Sequence, residues 1–312
     1  ITARMEHPAI VPVYEIGRRD DNSLYYTMKL VRGQTMSLAI QSAKTLGQRL
    51  ALLPNFVALC QAIAYAHSKG VIHRDIKPSN VIVGEYGETI VIDWGLAKSR
   101  GREDINEGAL SHALKTMQDA SLSHTMYGET IGTPNYMPPE QARGEVDTID
   151  EISDVFGLGA VLYALLTGKP PYDGTTIHEV ITLAREGRIT PVQARDPEVP
   201  AELATICHRA LAADRAQRYP SVQMLAEDVQ RFLSGALVSA HRYTTRALVR
   251  RFVRRHRIAL GTAAVAAVLL AVLGLFAVTR IVRERDIAEA ERQHALRERG
   301  EAEAARDEAK KN

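Results

Sequence analysis

His73-Arg74-Asp75-Ile76-Lys77-Pro78-Ser79-Asn80, followed 13 residues after Asn80 by Asp93-Trp94-Gly95, decides how this 312-residue chain is read. Moving a phosphoryl group needs a carboxylate to accept or orient a hydroxyl and a cation to steady the phosphoryl. It also needs oxygen ligands for a divalent metal on the polyphosphate. Asp75, Lys77, Asn80 and Asp93 offer that set from two adjacent loops. A strand–turn–strand between Asn80 and Asp93 returns the second loop beside the first. A lone His-Arg-Asp triplet would carry little weight, because charged triplets are common on solvated loops.

Outward from this stretch, Val11–Arg18 and Leu24–Val31 alternate as strands around the turn Asp20-Asp21-Asn22-Ser23. Pro54 opens a helical pattern to about Lys69, with Phe56, Leu59, Cys60, Ile63 and Ala64 on one face. Val81–Val83 and Thr89–Ile92 read as short strands around a glycine-containing turn, and the chain after Asp154 is mostly helical to about Leu233. A small strand region ahead of a helical body is α+β in outline. Cys60 and Cys207, the two cysteines, read as core residues rather than a disulfide framework or metal site.

The net charge of +2 hides a segregation along the chain. Residues 1–233 carry 23 Lys/Arg against 28 Asp/Glu, whereas residues 234–257 carry seven Arg and no acid. The excess of positive charge is therefore local, and no nucleic-acid partner is expected. Ile258 to Thr279 is 22 residues without a charge, long enough as a helix to cross the hydrocarbon core. Arg250, Arg251, Arg254, Arg255 and Arg257 precede it and read as a topology signal that puts the preceding body in the cytoplasm. Residues 280–312 form a charged helical tail. Ile281, Ala288, Ala295, Ala302 and Ala309 recur every seven residues as in a coiled coil, but a solvated connector helix is preferred.

The residues from His73 to Asn80, with Asp93, resemble the eukaryotic-type serine/threonine protein kinases in their bacterial transmembrane form. The resemblance implies that Asp75 is the catalytic base, that Lys77 contacts the γ-phosphate of ATP, and that Asn80 and Asp93 bind Mg²⁺. His7-Pro8-Ala9-Ile10-Val11 is similar to the turn after the αC helix of that family. By the same likeness Met28 is the gatekeeper, and Lys29, Leu30 and Val31 form the hinge that meets adenine. Gly132-Thr133-Pro134-Asn135-Tyr136-Met137-Pro138-Pro139-Glu140 resembles the segment that docks substrate, which makes Thr133 and Glu140 site residues. Asp154 resembles the helix residue that anchors the catalytic loop, and Arg218 the partner of Glu140.

The chain departs from the family pattern at Asp93-Trp94-Gly95, which changes the aromatic, and at Pro138-Pro139-Glu140, which adds a second proline. The family's Gly-rich loop, strand-three lysine and αC glutamate would fall before Ile1. The expectation is therefore a complete C-lobe with the last part of an N-lobe, over residues 1–233. Juxtamembrane residues 234–257, a membrane helix at 258–279 and the tail at 280–312 follow. Asp93 to Glu140 spans 48 residues rich in Ser and Thr. Thr125 and Thr130, then Ser121, Ser123 and Thr116, are candidate phosphate acceptors, with Arg74 placed to pair with the phosphate. The resulting reading is a single-pass membrane kinase acting on protein substrates, with a homodimer serving trans-autophosphorylation. A pseudokinase or inactive fragment is the alternative.

Overall fold

The computed structural model describes residues 5–19, 24–99, 134–245, 253 and 256–309. They fall into two compact units, one ending at Arg242 and one beginning at Tyr243.

In the first unit, β1 (Val13–Arg18) and β2 (Leu24–Met28) form an antiparallel hairpin with Val13 opposite Met28 and Arg18 opposite Leu24. The turn read at Asp20–Ser23 lies outside the described residues. β3 (Gln34–Thr35) runs directly into α1 (Met36–Ser42), where Thr35 Oγ1 accepts the Leu38 N–H at 3.2 Å. A reciprocal cap opens α2 (Leu46–Leu50). Thr45 Oγ1 takes the Gln48 N–H while Gln48 Oε1 takes the Thr45 N–H.

α3 (Leu53–Ser68) starts with Pro54 in its first turn, where no N–H is needed. It is apolar on nearly every side because the rest of the body packs around it: Phe56, Leu59, Cys60, Ala62 and Ile63 are all fully buried. β4 (Val71–Ile72) pairs antiparallel with β7 (Lys98–Ser99). β5 (Val81–Val83) and β6 (Thr89–Val91) form a second hairpin, with β3 on the far edge of β5. Gly87, at φ +85°, makes the turn possible.

The helical body comprises α4 (Pro139–Ala142), α5 (Glu151–Thr167), α6 (Ile177–Glu186), α7 (Val192–Arg195), α8 (Ala201–Ala210) and α9 (Val222–Leu233). α5 is its axis, buried from Ser153 through Leu166. Asp150 caps its start, accepting the Ile152 N–H at 2.8 Å, and Gly168 ends it at φ +72°. Gly159 lets α8 lie close against α5, since a Cβ there would stand 2.8 Å from that of Ala210. The unit is thus mixed α and β, with small antiparallel sheets ahead of a helical body.

The second unit contains α10 (Arg257–Ala309), an unbroken 53-residue helix about 80 Å long at ~1.5 Å per residue. Its apolar residues Val265, Leu269, Leu273 and Phe276 are exposed within the chain, and Arg280 pairs with Glu284 one turn on. Residues 46–68 are also long and apolar, but half of that stretch is buried in the first unit. Arg250, Arg251, Arg254 and Arg255 lie outside the described residues.

Candidate active site

α3 delivers the chain through β4 into the loop His73–Asn80, and Asp154 on α5 holds that loop from below. Asp154 Oδ2 accepts the His73 N–H at 2.8 Å, and Oδ1 accepts the Arg74 N–H at 2.9 Å. His67, near the end of α3, places Nε2 2.7 Å from Oδ2. Arg74 sits at φ +68°, a left-handed conformation costing an ordinary residue about 1–2 kcal/mol. The carboxylate grip on two successive amides keeps it there. Asp154 is almost fully buried. Burial pushes its carboxyl up, but the hydrogen bond and charge of His67, with His73, outweigh this and hold it below the usual range.

Above this anchor three side chains converge. Lys77 Nζ donates to Asp75 Oδ2 at 2.8 Å, and Asn80 Nδ2 donates to the same oxygen at 3.0 Å and to the Asp75 carbonyl at 2.9 Å. Two acceptors at one end of the Asn80 amide oblige its NH₂ to point there, so its oxygen faces away. None of these bonds engages Asp75 Oδ1.

The β5–β6 hairpin carries the chain back to this cluster. Val81 pairs with Val91, and the Ile92 N–H donates to the Asn80 carbonyl at 3.0 Å, which puts Asp93 on the adjoining loop. Asp93 is exposed, at φ +59°. Trp94 turns inward against His73, with ring centroids 4.5 Å apart and planes tilted 51°.

A cleft beside the loop is lined by Arg74, Asp75, Tyr136, Met137, Pro138 and Asp154, among others. Behind it, Arg218 forks onto Glu140 with bonds of 2.8 and 2.9 Å, and Ser153 Oγ donates to Glu140 at 2.8 Å. The remaining Arg218 donors reach the carbonyls of Ala212, Ile152 and Ala213. Burial pushes the Glu140 carboxyl up, and the Arg218 bonds and charge outweigh it and hold it low.

The structure therefore gathers Asp75, Lys77 and Asn80, seats them on Asp154, sets Asp93 on the neighbouring loop and pairs Glu140 with Arg218. Met28 closes β2, the Lys29 N–H donates to the Pro12 carbonyl at 3.2 Å, and Leu30 is 84% exposed. Val31 is half-buried. Thr116, Ser121, Ser123, Thr125, Thr130 and Thr133 lie outside the described residues. His67 carries no distinguishing signal in the sequence, because the same helix also bears Asn55, Gln61 and Ser68. Cys60 and Cys207 are buried and pushed up by burial, as inert core thiols are.

A protein kinase domain model matches residues 1–229. The chain belongs to the protein kinase domain family. Over 250 residues it is 40% identical to serine/threonine-protein kinase PknD of Protochlamydia amoebophila (strain UWE25), covering 75% of this chain and 25% of that protein. It is 34% identical to serine/threonine-protein kinase PknD of Chlamydia abortus (strain DSM 27085 / S26/3), over 76% of this chain and 26% of the other. The corresponding protein of Chlamydia muridarum (strain MoPn / Nigg) is 36% identical over 75% and 26%. The chain spans about a quarter of the length of these curated relatives.

Kinase domains of this kind work on a magnesium nucleotide, and the residues present fit one. Among the described residues no three His, Cys, Asp or Glu side chains gather to enclose an ion. The Asn80 amide oxygen and the Asp93 carboxylate offer two hard oxygen donors on adjoining loops, and these would hold Mg²⁺ with phosphate and water oxygens completing its shell.

Proposed function

We propose that this kinase domain transfers the γ-phosphoryl group of ATP to serine and threonine hydroxyls of proteins, from a membrane anchor. The supporting observation is the convergence of Lys77 and Asn80 on Asp75, above a loop held by Asp154. Asp75 orients the substrate hydroxyl and accepts its proton. Lys77 steadies the transferring phosphoryl, a reading supported by its pairing with Asp75 at 2.8 Å. Asn80 and Asp93 hold Mg²⁺, which neutralises charge on the phosphates. Met28 and Lys29–Val31 meet the adenine, Thr133 and Glu140 shape the substrate-docking segment, and Arg74 pairs with a phosphate on Thr125, Thr130, Ser121 or Ser123. Residues 258–279 of α10 cross the membrane once, with the kinase domain in the cytoplasm where ATP is. Two copies phosphorylate one another in trans. Retention of Asp75, Lys77, Asn80 and Asp93 together disfavours a pseudokinase.

The test is ATP-dependent phosphate transfer to a protein substrate, with Asp75→Asn beside the parent chain. Loss of activity by about 10²-fold or more, with nucleotide affinity retained, is expected for removal of a general base. An undiminished rate in the variant removes Asp75 from that role.

A further inference from the structure

Asp228 lies on α9, far in sequence from the loop described above, and is completely buried. A carboxylate is expensive to remove from water, so one in a core calls for donors. Asp228 has five. Oδ1 accepts the Ser239 N–H at 2.8 Å and Arg231 Nη1 at 3.2 Å. Oδ2 accepts the Tyr219 hydroxyl at 2.9 Å, the Ser239 hydroxyl at 2.8 Å and the Ala240 N–H at 3.0 Å. Three of the five come from two consecutive residues of the segment that leaves the unit after α9.

That segment is fixed on both sides of the carboxylate. Val238 is 3% exposed and part of the main core, and the His241 ring nitrogen Nδ1 stands 3.0 Å from Thr205 Oγ1 on α8. Four successive residues, 238–241, are thus pinned by core packing, two backbone donors and a ring contact. None belongs to a helix or strand, so without Asp228 the amides of Ser239 and Ala240 would have no partner of their own. A helix needing only stability at this position would carry an apolar residue.

We propose that residues 238–241 are a strap locked onto the kinase domain by Asp228, and that this lock sets the point from which the chain departs toward the apolar helix. Opening it would add residues 234–242 to the chain that precedes Arg257, up to about 30 Å of extra reach when extended. The lock fixes where the chain leaves the kinase domain, and it does not depend on the phosphotransfer reading.

Hydrogen exchange on the full chain in detergent micelles tests it. In Asp228→Asn, either amide orientation sets an NH₂ against one fixed backbone donor, Ser239 on one oxygen or Ala240 on the other. Ala240→Pro removes one of those donors and leaves Asp228 and α9 intact. In both variants the amides of 236–242 should exchange at least tenfold faster, with exchange across His73–Asn80 and α5 unchanged within twofold. Unchanged exchange at 236–242 overturns the lock. Equal acceleration throughout the domain also overturns it, making Asp228 an ordinary core element. Should Asp228→Asn fail to fold, Ala240→Pro decides alone.

Discussion

Replacing Arg218 with Met isolates the worth of its pairing with Glu140. The two side chains are 0% and 2% exposed, so the change strands a carboxylate in the core. Removing one partner from a buried ion pair costs about 3–5 kcal/mol. In a body of this size each kcal/mol moves the melting temperature by roughly 2–4 °C, so a drop of about 6–20 °C is expected. The loss depends on pH in a defined direction. In the parent chain Glu140 is held below its ordinary value, so it contributes stability above the unfolded carboxyl's range and loses it as pH falls through the native value. In the variant the bonds and charge of Arg218 are gone, burial is opposed only by the Ser153 hydroxyl and a backbone hydrogen bond, the carboxyl moves up, and lowering the pH from 8 to 5 relieves the penalty. A double variant, Arg218→Met with Glu140→Leu, should recover more than half of the loss. Full recovery is not expected, because Arg218 also satisfies the Ala212 and Ile152 carbonyls. Thermal unfolding followed by circular dichroism at several pH values is the assay. A drop below 3 °C, a penalty that does not change with pH, or a double variant weaker than the single would refute this account.

Asp154→Asn places an amide NH₂ against either the His73 or the Arg74 N–H, costing about 1–3 kcal/mol. If half of that is felt in the transition state, phosphate transfer slows about 2- to 13-fold, and a parent-like rate would show that the loop keeps its shape without Asp154. Gly159→Val forces α8 away from α5 and should destabilise by about 1–3 kcal/mol or more in denaturant titration, whereas a neutral result would mean the helices part freely. Deleting residues 258–279 should move the chain from the membrane pellet to the soluble fraction after alkaline extraction. Persistent pelleting would place the anchor elsewhere.

The parts of the fold that sequence made legible are those governed by local pattern. The hairpins β1–β2 and β5–β6 and the helix opened by Pro54 lie within a few residues of their expected bounds, whereas the helix that carries the apolar run starts at Arg257 and continues without a break to Ala309. The two short helices between Thr35 and Leu50 were not anticipated, although Thr45-Leu46-Gly47-Gln48 is a capping signal in plain view. Within the site, the spacing from His73 to Asn80 points to the three side chains that converge, Asp75, Lys77 and Asn80, but no spacing reveals that His67 shares Asp154 with the loop. Asp228 looks like any acid on the wet face of an amphipathic helix. Only the return of Ser239 and Ala240 onto it, set by tertiary packing, shows otherwise.

Trp94 is the chain's single tryptophan, and its indole rests on the imidazole of His73 in the loop that bears Asp75. Every photon of tryptophan emission therefore originates one residue from Asp93 and against the loop His73–Asn80. Slackening of the Asp154 grip can be followed by the unlabelled protein's own emission in a stopped-flow cell, with excitation at wavelengths that select the indole over the chain's eleven tyrosines.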